Sequence, residues 1–145
     1  MKFLILMVVL LPLSTFGASS IGTRGGGDLC EDRIKILRDD IKAWLLAGGM
    51  NALVLPQGVK KEVYQNDMLK QIRKAKVKCV GKDDPGYPVQ IEDTPKVCKF
   101  ENSQITCDYD KFMSMKGADQ YILIHHEYAG LSGFELPDGA DSDYS

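Results

Sequence analysis

The sequence has few of the residues that build metal and redox sites. It contains only two histidines, and its four cysteines form no C-x-x-C pair. A zinc knuckle or a thioredoxin-like centre needs two cysteines at that close spacing, so neither is supported. Any chemistry that involves histidine must therefore come from one segment, residues 121–135, which holds His125 and His126.

The chain also lacks an excess of positive charge. Its 18 lysines and arginines face 20 aspartates and glutamates, which gives a net charge of −2. Because phosphate binding requires a clustered surplus of basic residues, nucleic acid is not expected as a partner. The one basic run, residues 70–78, is interpreted as a solvated helix face that leads into a strand.

The N-terminal apolar run is too short to be a membrane span. Residues 1–20 place Lys2 before an apolar segment and small residues after it, the three-part layout of a secretory signal peptide. The uninterrupted run ends at Leu11, whereas a spanning helix needs ~20 apolar residues. We predict cleavage between Gly17 and Ser20, a secreted or periplasmic protein, and no membrane association after removal of the signal.

Export determines the expected state of the four cysteines. In an oxidising compartment an even number of cysteines usually forms disulfides. The alternating segment from Cys98 to Cys107 predicts a hairpin with a two-residue turn at residues 102 and 103. This register sets the two cysteines opposite each other, within disulfide range. Cys30 and Cys79 are then left to form the second bridge.

The order of the periodic segments predicts an α+β domain. Residues 28–49 are expected to form an amphipathic helix that opens with a capping box of Asp28 and Glu31, and residues 60–75 a second helix. Four short extended pieces between residues 76 and 109, separated by turn signals, predict a small antiparallel meander. A C-terminal helix after Asp110 would pack on one face of this sheet. The expected division is residues 1–20 as signal peptide, 21–28 as flexible leader and 29–145 as a single domain.

The segment YILIHHEYAGLSGFE carries the one motif that suggests catalysis. His126 and Glu127 match the start of H-E-x-x-H, in which two histidines one turn apart bind zinc and the glutamate is the general base. The longer metzincin-type pattern has histidine ligands where this chain has Gly130 and Leu136. A zinc site would need other donors, with Glu127 as the base. The candidate ligands are His126, His125, Glu135, Asp138, Asp141 and Asp143.

Two further interpretations of this segment stay open. The histidines can be partly buried, hydrogen-bonded residues at the end of a core helix, or the segment can belong to a binding module. One apolar stripe is expected to be the only part of the helix that packs against the sheet. His126 and Glu127 would then lie in a polar pocket on another side of the helix. The acidic residues 136–145 lack the EF-hand ligand order, which favours a solvated loop over a calcium site. The stripe consists of Tyr121, Ile124, Tyr128 and Leu131.

Five segments together resemble a known group of proteins. They are residues 25–44, 74–81, 86–100, 106–112 and 119–133. They are similar to uncharacterised small secreted proteins of predatory Gram-negative bacteria that carry an HHEYAG segment. The resemblance implies an exported small domain with a histidine-glutamate motif at this place, and it brings no established activity. Members continue beyond an SDY segment, so a chain that ends at Ser145 is expected to be truncated.

The sequence therefore predicts a secreted or periplasmic small disulfide-bonded domain. One hypothesis is a degenerate zincin-like protein, a metal-dependent hydrolase with an incomplete ligand set and zinc as its cofactor. The alternative is a non-catalytic protein of the envelope that binds a protein or cell-envelope partner, or a purely structural domain. The sequence indicates no particular oligomeric state.

Overall fold

The computed structural model describes residues 27–55 and 57–135. The predicted signal peptide, most of the predicted leader and the aspartates at positions 138, 141 and 143 lie outside the described residues. The helices are α1 (Gly27–Leu46), α2 (Lys61–Lys74), α3 (Tyr109–Ser114) and α4 (Gly117–Leu131), with a 3-10 turn at Gly49–Ala52. The strands are β1 (Lys76–Val80), β2 (Gln90–Ile91), β3 (Thr94–Pro95), β4 (Cys98–Glu101) and β5 (Gln104–Asp108). The predicted α+β class is confirmed.

Helix α1 forms where the apolar residues recur at three- and four-residue spacing. It begins at Gly27, one residue before the predicted capping residue. The chain leaves the helix at Gly48, whose φ of 81° lies in the left-handed region that glycine adopts without steric cost. A Cβ atom at Gly49 would overlap the Trp44 indole, so this second glycine lets the chain pass close to the ring. The apolar stripe is buried at Ile34, Leu37, Ile41 and Leu45.

The main sheet is mixed, so the predicted antiparallel meander is wrong. Its strand order is β1-β5-β4, with β5 parallel to β1 and antiparallel to β4, while β2 and β3 form a separate two-stranded sheet. The segment between β1 and β2, residues 81–89, is longer than the two- to five-residue loops of hairpins and does not force these strands to pair. β1 therefore pairs with a strand distant in sequence.

The β4–β5 hairpin has the predicted register. Cys98 lies opposite Cys107 and Glu101 lies opposite Gln104. The two turn residues, Asn102 and Ser103, have φ values of 49° and 61°. Two consecutive positive φ angles define the type I′ turn that suits the twist of paired strands.

Both predicted disulfide pairings are present. Cys98 and Cys107 are joined across the hairpin with their Cα atoms 4.0 Å apart. Cys30 and Cys79 are joined with their Cα atoms 6.1 Å apart, which links α1 to β1. All four side chains lie in the core.

The core is formed by buried side chains of the helices and of the main sheet. α1 contacts β1, α4 contacts β4, and α2 contacts both of these helices. Within residues 27–55 and 57–135, no helix is both long and apolar enough to cross a membrane. The largest fully buried side chains include Tyr64, Tyr128, Phe112, Ile34 and Met68.

We predict that the two disulfides differ in their contribution to stability. They close segments of 49 and 9 residues, and the chain-entropy estimate gives ~4 kcal/mol for the longer loop and ~2.5 kcal/mol for the shorter one. Urea unfolding of the Cys30→Ser/Cys79→Ser and Cys98→Ser/Cys107→Ser variants measures both values. A larger loss from the second variant would contradict the prediction, and non-reducing peptide mapping checks the pairing itself.

Candidate functional site

The C-terminal half of α4 is largely buried, with His126 and Leu131 partly exposed. Helices α1 and α2 and strand β4 all contact α4, so burial extends beyond the apolar stripe. The prediction that this stripe alone buries the helix is therefore wrong. The buried residues are Gln120, Ile124, His125, Glu127, Tyr128, Ala129 and Gly130.

His125 is a hydrogen-bonded core residue. Its Nε2 atom lies 2.9 Å from the Tyr64 hydroxyl, and its ring meets the edge of Trp44 with the ring centroids 5.6 Å apart. Burial lowers the pKa of His125 to about 4, and His126 acts in the same direction. The imidazole is therefore neutral at neutral pH, with Nε2 engaged by Tyr64. This contact agrees with the structural interpretation of His125 and leaves its predicted role as a metal ligand without support.

His126 and Glu135, two of the predicted metal ligands, are brought together. The distance between His126 Nδ1 and Glu135 Oε1 is 2.5 Å. The chain reverses after α4 at Gly133, whose φ is 79°. The Gly133 and Phe134 amides donate to the carbonyls of Gly130 and Ala129, which is the Schellman pattern of a helix end. This turn returns Glu135 to the side of α4 that carries His126.

Phe134 anchors that turn in the core. Its ring packs on Tyr64 with centroids 4.9 Å apart, and a hydrophobic contact of the residue after the glycine often accompanies this helix end. Tyr64 also contacts His125. The same buried tyrosine therefore contacts His125 directly and, through Phe134, the turn that carries the Glu135 partner of His126.

Glu127, the predicted general base, is buried beside this pair. Its side chain is 7% exposed, and its Oε2 atom has no hydrogen-bond partner among the described residues. Burial raises the pKa of Glu127 to about 8; the negative charge of Glu135 acts in the same direction, and Lys96 opposes the shift. The carboxyl group is therefore mostly protonated at neutral pH. A general base needs the ionised form and access to water, so the geometry gives the catalytic prediction little support.

Gly130 is required by the packing of α4 on β4. A Cβ atom at this position would overlap Cε1 of Phe100. In the H-E-x-x-H pattern this position holds the second histidine. Here the Phe100 ring occupies the space that such a side chain would need, so α4 cannot present a zincin ligand from residue 130.

The described residues contain no group of three histidine, cysteine, aspartate or glutamate side chains that could hold a metal ion. A catalytic zinc ion usually has three protein ligands. His126 and Glu135 are two candidate donors in this part of the chain, and they already contact each other.

A second candidate site, which the sequence did not indicate, lies at the edge of the main sheet. β4 is the last strand of the order β1-β5-β4. Glu101 pairs with Gln104 next to the turn, and the amide of Asp108 donates to the carbonyl of Val97. Since antiparallel strands alternate their backbone groups, Cys98 and Phe100 direct their N–H and C=O groups away from β5. No other described strand is hydrogen-bonded to this edge.

An open groove of ≈ 480 Å³ lies beside this edge, between β4 and β2. A meander in chain order would have placed the β4 segment between two other strands, which is why sequence reasoning missed the groove. The alternation of residues 96–100 predicted a strand. It did not indicate that one side of this strand would have no neighbouring strand in the described part of the chain. The groove is lined by Gln90, Ile91, Lys99, Phe100, Glu101 and Asn102.

No protein-family model, curated protein or solved structure matches this chain. The contacts, burial and charges of the described residues define two candidate sites. One is the polar cluster of His126, Glu127 and Glu135, and the other is the groove at the β4 edge.

The raised pKa of Glu127 predicts a pH-dependent stability. The folded-state pKa of about 8 lies above the ordinary value of 4.5, so between these values the folded protein binds more protons than the unfolded chain. The stabilising contribution of Glu127 to the free energy of unfolding is complete below about pH 4.5. It is lost as the pH rises through 8. Glu127→Gln, which stays uncharged, should gain stability relative to the parent as the pH rises through this window.

Urea unfolding at a series of pH values measures this difference. The exposed Glu62→Gln variant is the matched control and should run parallel to the parent. A constant difference between Glu127→Gln and the parent across the window would contradict the prediction. His125 has the opposite pH dependence, because its folded-state pKa is lowered from 6.5 to about 4. Its contribution to the free energy of unfolding is lost as the pH falls through that range.

Proposed function

We propose that this chain is an exported, non-catalytic domain that binds an extended polypeptide segment at the edge of β4. The single observation that carries the proposal is the outward direction of the Cys98 and Phe100 backbone groups beside an open groove. Extended peptides commonly add as a strand to such an edge. Main-chain hydrogen bonds then supply affinity, and pockets for alternate side chains supply specificity.

The edge is held in a fixed conformation before any ligand arrives. The Cys98–Cys107 disulfide fastens β4 to β5, and Phe100 is fixed from inside by its contact with α4 at Gly130. A binding surface that needs no ordering saves the entropy that a flexible site would lose. This rigidity supports a binding role for the edge.

The composition of the groove indicates the kind of segment that fits it. Ile91 and Phe100 supply apolar surface, while Gln90 and Asn102 supply amide groups at the rim. An extended ligand would direct one apolar side chain toward Ile91 and Phe100. Its backbone would pair with Cys98 and Phe100.

Export is part of the proposal and is supported by two observations. The first 20 residues have the layout of a signal peptide. The described residues form two disulfides, which persist mainly in oxidising compartments. An exported domain would meet an envelope or extracellular protein, which is therefore the proposed class of partner.

A backbone-dependent peptide titration tests the edge as a binding site. The ligand is a capped synthetic peptide with the sequence of residues 97–102 and serine in place of cysteine. In amide NMR spectra of the labelled protein, we expect saturable shifts confined to residues 90–91 and 98–102. The same peptide with an N-methyl group on its phenylalanine amide, which cannot donate the central hydrogen bond, should produce no shifts.

The protein variant Ile91→Glu provides a second control. It places a charge in the groove and should weaken peptide binding, whereas Val54→Glu, at a 70% exposed position, should not. Equal responses to the two peptides, or no shifts with either, would rule out backbone pairing at β4.

A degenerate zincin-like metal site is the second candidate. The contact between His126 Nδ1 and Glu135 Oε1 favours it, because two of the predicted ligands lie together beside the buried Glu127. The filled space at Gly130 opposes it, since no third donor can come from that turn of α4. The edge of β4 is the better-supported site.

We therefore expect that zinc in tenfold molar excess leaves the thermal unfolding midpoint of the protein unchanged. A ligand that binds only the folded state would raise the midpoint, and two donors already in contact bind zinc weakly. A rise in the midpoint that disappears in both His126→Ala and Glu135→Gln would establish the metal site instead. The exposed Glu62→Gln variant again serves as the control and should respond to zinc as the parent does.

A further inference from the structure

We infer that the strand bound at the β4 edge is β4 of a second copy of this chain, so that two copies form a symmetric dimer. This inference rests on the proposed function, because it names the partner of the same edge. The dimer would join the two main sheets into one sheet of six strands, in the order β1-β5-β4-β4-β5-β1.

The backbone of β4 permits antiparallel pairing about a two-fold axis at Phe100. In a two-fold interface each residue on one side of the axis meets its counterpart on the other side. Phe100 of each copy would lie opposite Phe100 of the other. Both outward N–H groups would then donate to the opposite C=O groups, which forms a closely hydrogen-bonded pair.

The charges that flank Phe100 complement each other in this register. Lys99 would lie directly opposite Glu101 of the other copy, and Glu101 opposite Lys99. Side chains at directly opposed positions have Cβ atoms ~4.5–5.5 Å apart, and opposite charges there are stabilising. The segment Lys99-Phe100-Glu101 is therefore self-complementary.

Both charged side chains are available for such a contact. Within one copy, Lys99 Nζ lies 3.9 Å from Glu101 Oε2, at the outer limit of an ion pair. The side chains are 29% and 68% exposed. A neighbouring copy could draw them into two closer pairs without breaking a buried contact.

The competing registers are less favourable. A two-fold axis at Lys99 would also align the outward backbone groups, pairing Cys98 with Phe100, but it sets the two Lys99 side chains against each other. An axis at Glu101 opposes two carboxylates. Like charges directly opposite are destabilising, so the charge pattern selects the axis at Phe100.

The groove lies at the centre of the proposed interface. It is lined by residues 99–102, at the end of β4 and the start of the turn, and by Gln90 and Ile91 of β2. Ile91 and Phe100 would therefore be the apolar contacts of the incoming β4.

Charge-exchange variants provide a sharp test by analytical ultracentrifugation. The parent protein should show a reversible monomer–dimer equilibrium that weakens with salt, as surface ion pairs do. Lys99→Glu and Glu101→Lys should each raise the dissociation constant by about tenfold or more, since each opposes like charges across the interface. An equimolar mixture of these two variants should form a mixed dimer. In it, the two glutamates of one copy at positions 99 and 101 lie opposite the two lysines of the other copy. Neither side chain is buried, so circular dichroism should show unchanged folding.

The outcomes separate this inference from the proposed function. A parent protein that stays monomeric while the synthetic β4 peptide still shifts residues 98–102 would overturn the dimer and leave the edge as a site for another polypeptide. A dimer unaffected by both variants would place the interface elsewhere and overturn the inference. Sensitivity to Lys99→Glu alone would indicate a different register and would also overturn it. Absence of both dimer and peptide binding would defeat both proposals.

Discussion

The close approach of α4 to β4 at Gly130 and Phe100 is the contact on which the rest of the structure depends. Because no Cβ atom fits between helix and ring, the helix packs directly against the edge strand of the sheet. This closeness helps to bury most of the C-terminal half of α4, and it also holds β4 through Phe100. Both candidate sites are consequences of it, one on the helix and one on the strand.

The elements packed around α4 bury its polar residues His125 and Glu127. His125 is bonded to Tyr64 and has its pKa lowered, whereas Glu127 has its pKa raised. Both shifts have the same main cause, since burial disfavours the charged form of either group. Two neutral groups at neutral pH can be accommodated where two charges could not. The histidine-glutamate motif is therefore better explained as part of a polar core than as an exposed reaction centre.

The opposite side of the same contact has a different character. β4 is pinned by a disulfide and by Phe100, yet its outer backbone groups face an open groove. Free edges normally invite pairing, and proteins usually cover or charge them. Here Lys99 and Glu101 place opposite charges on either side of Phe100. This pattern favours strands with complementary charges and disfavours registers that oppose like charges. A rigid edge with such a pattern is suited to strand addition.

The sequence by itself determined the features that arise from neighbours along the chain. The amphipathic helices follow from apolar spacing, and the β4–β5 register with its Cys98–Cys107 bridge follows from alternation and a two-residue turn. Once that bridge was placed, Cys30 and Cys79 remained for each other. Tertiary structure alone decided that β1 joins β5 in parallel, that β4 is an edge, and that Glu127 is buried. These depend on contacts between segments far apart in the chain, whose packing energies leave no periodic signal in either segment.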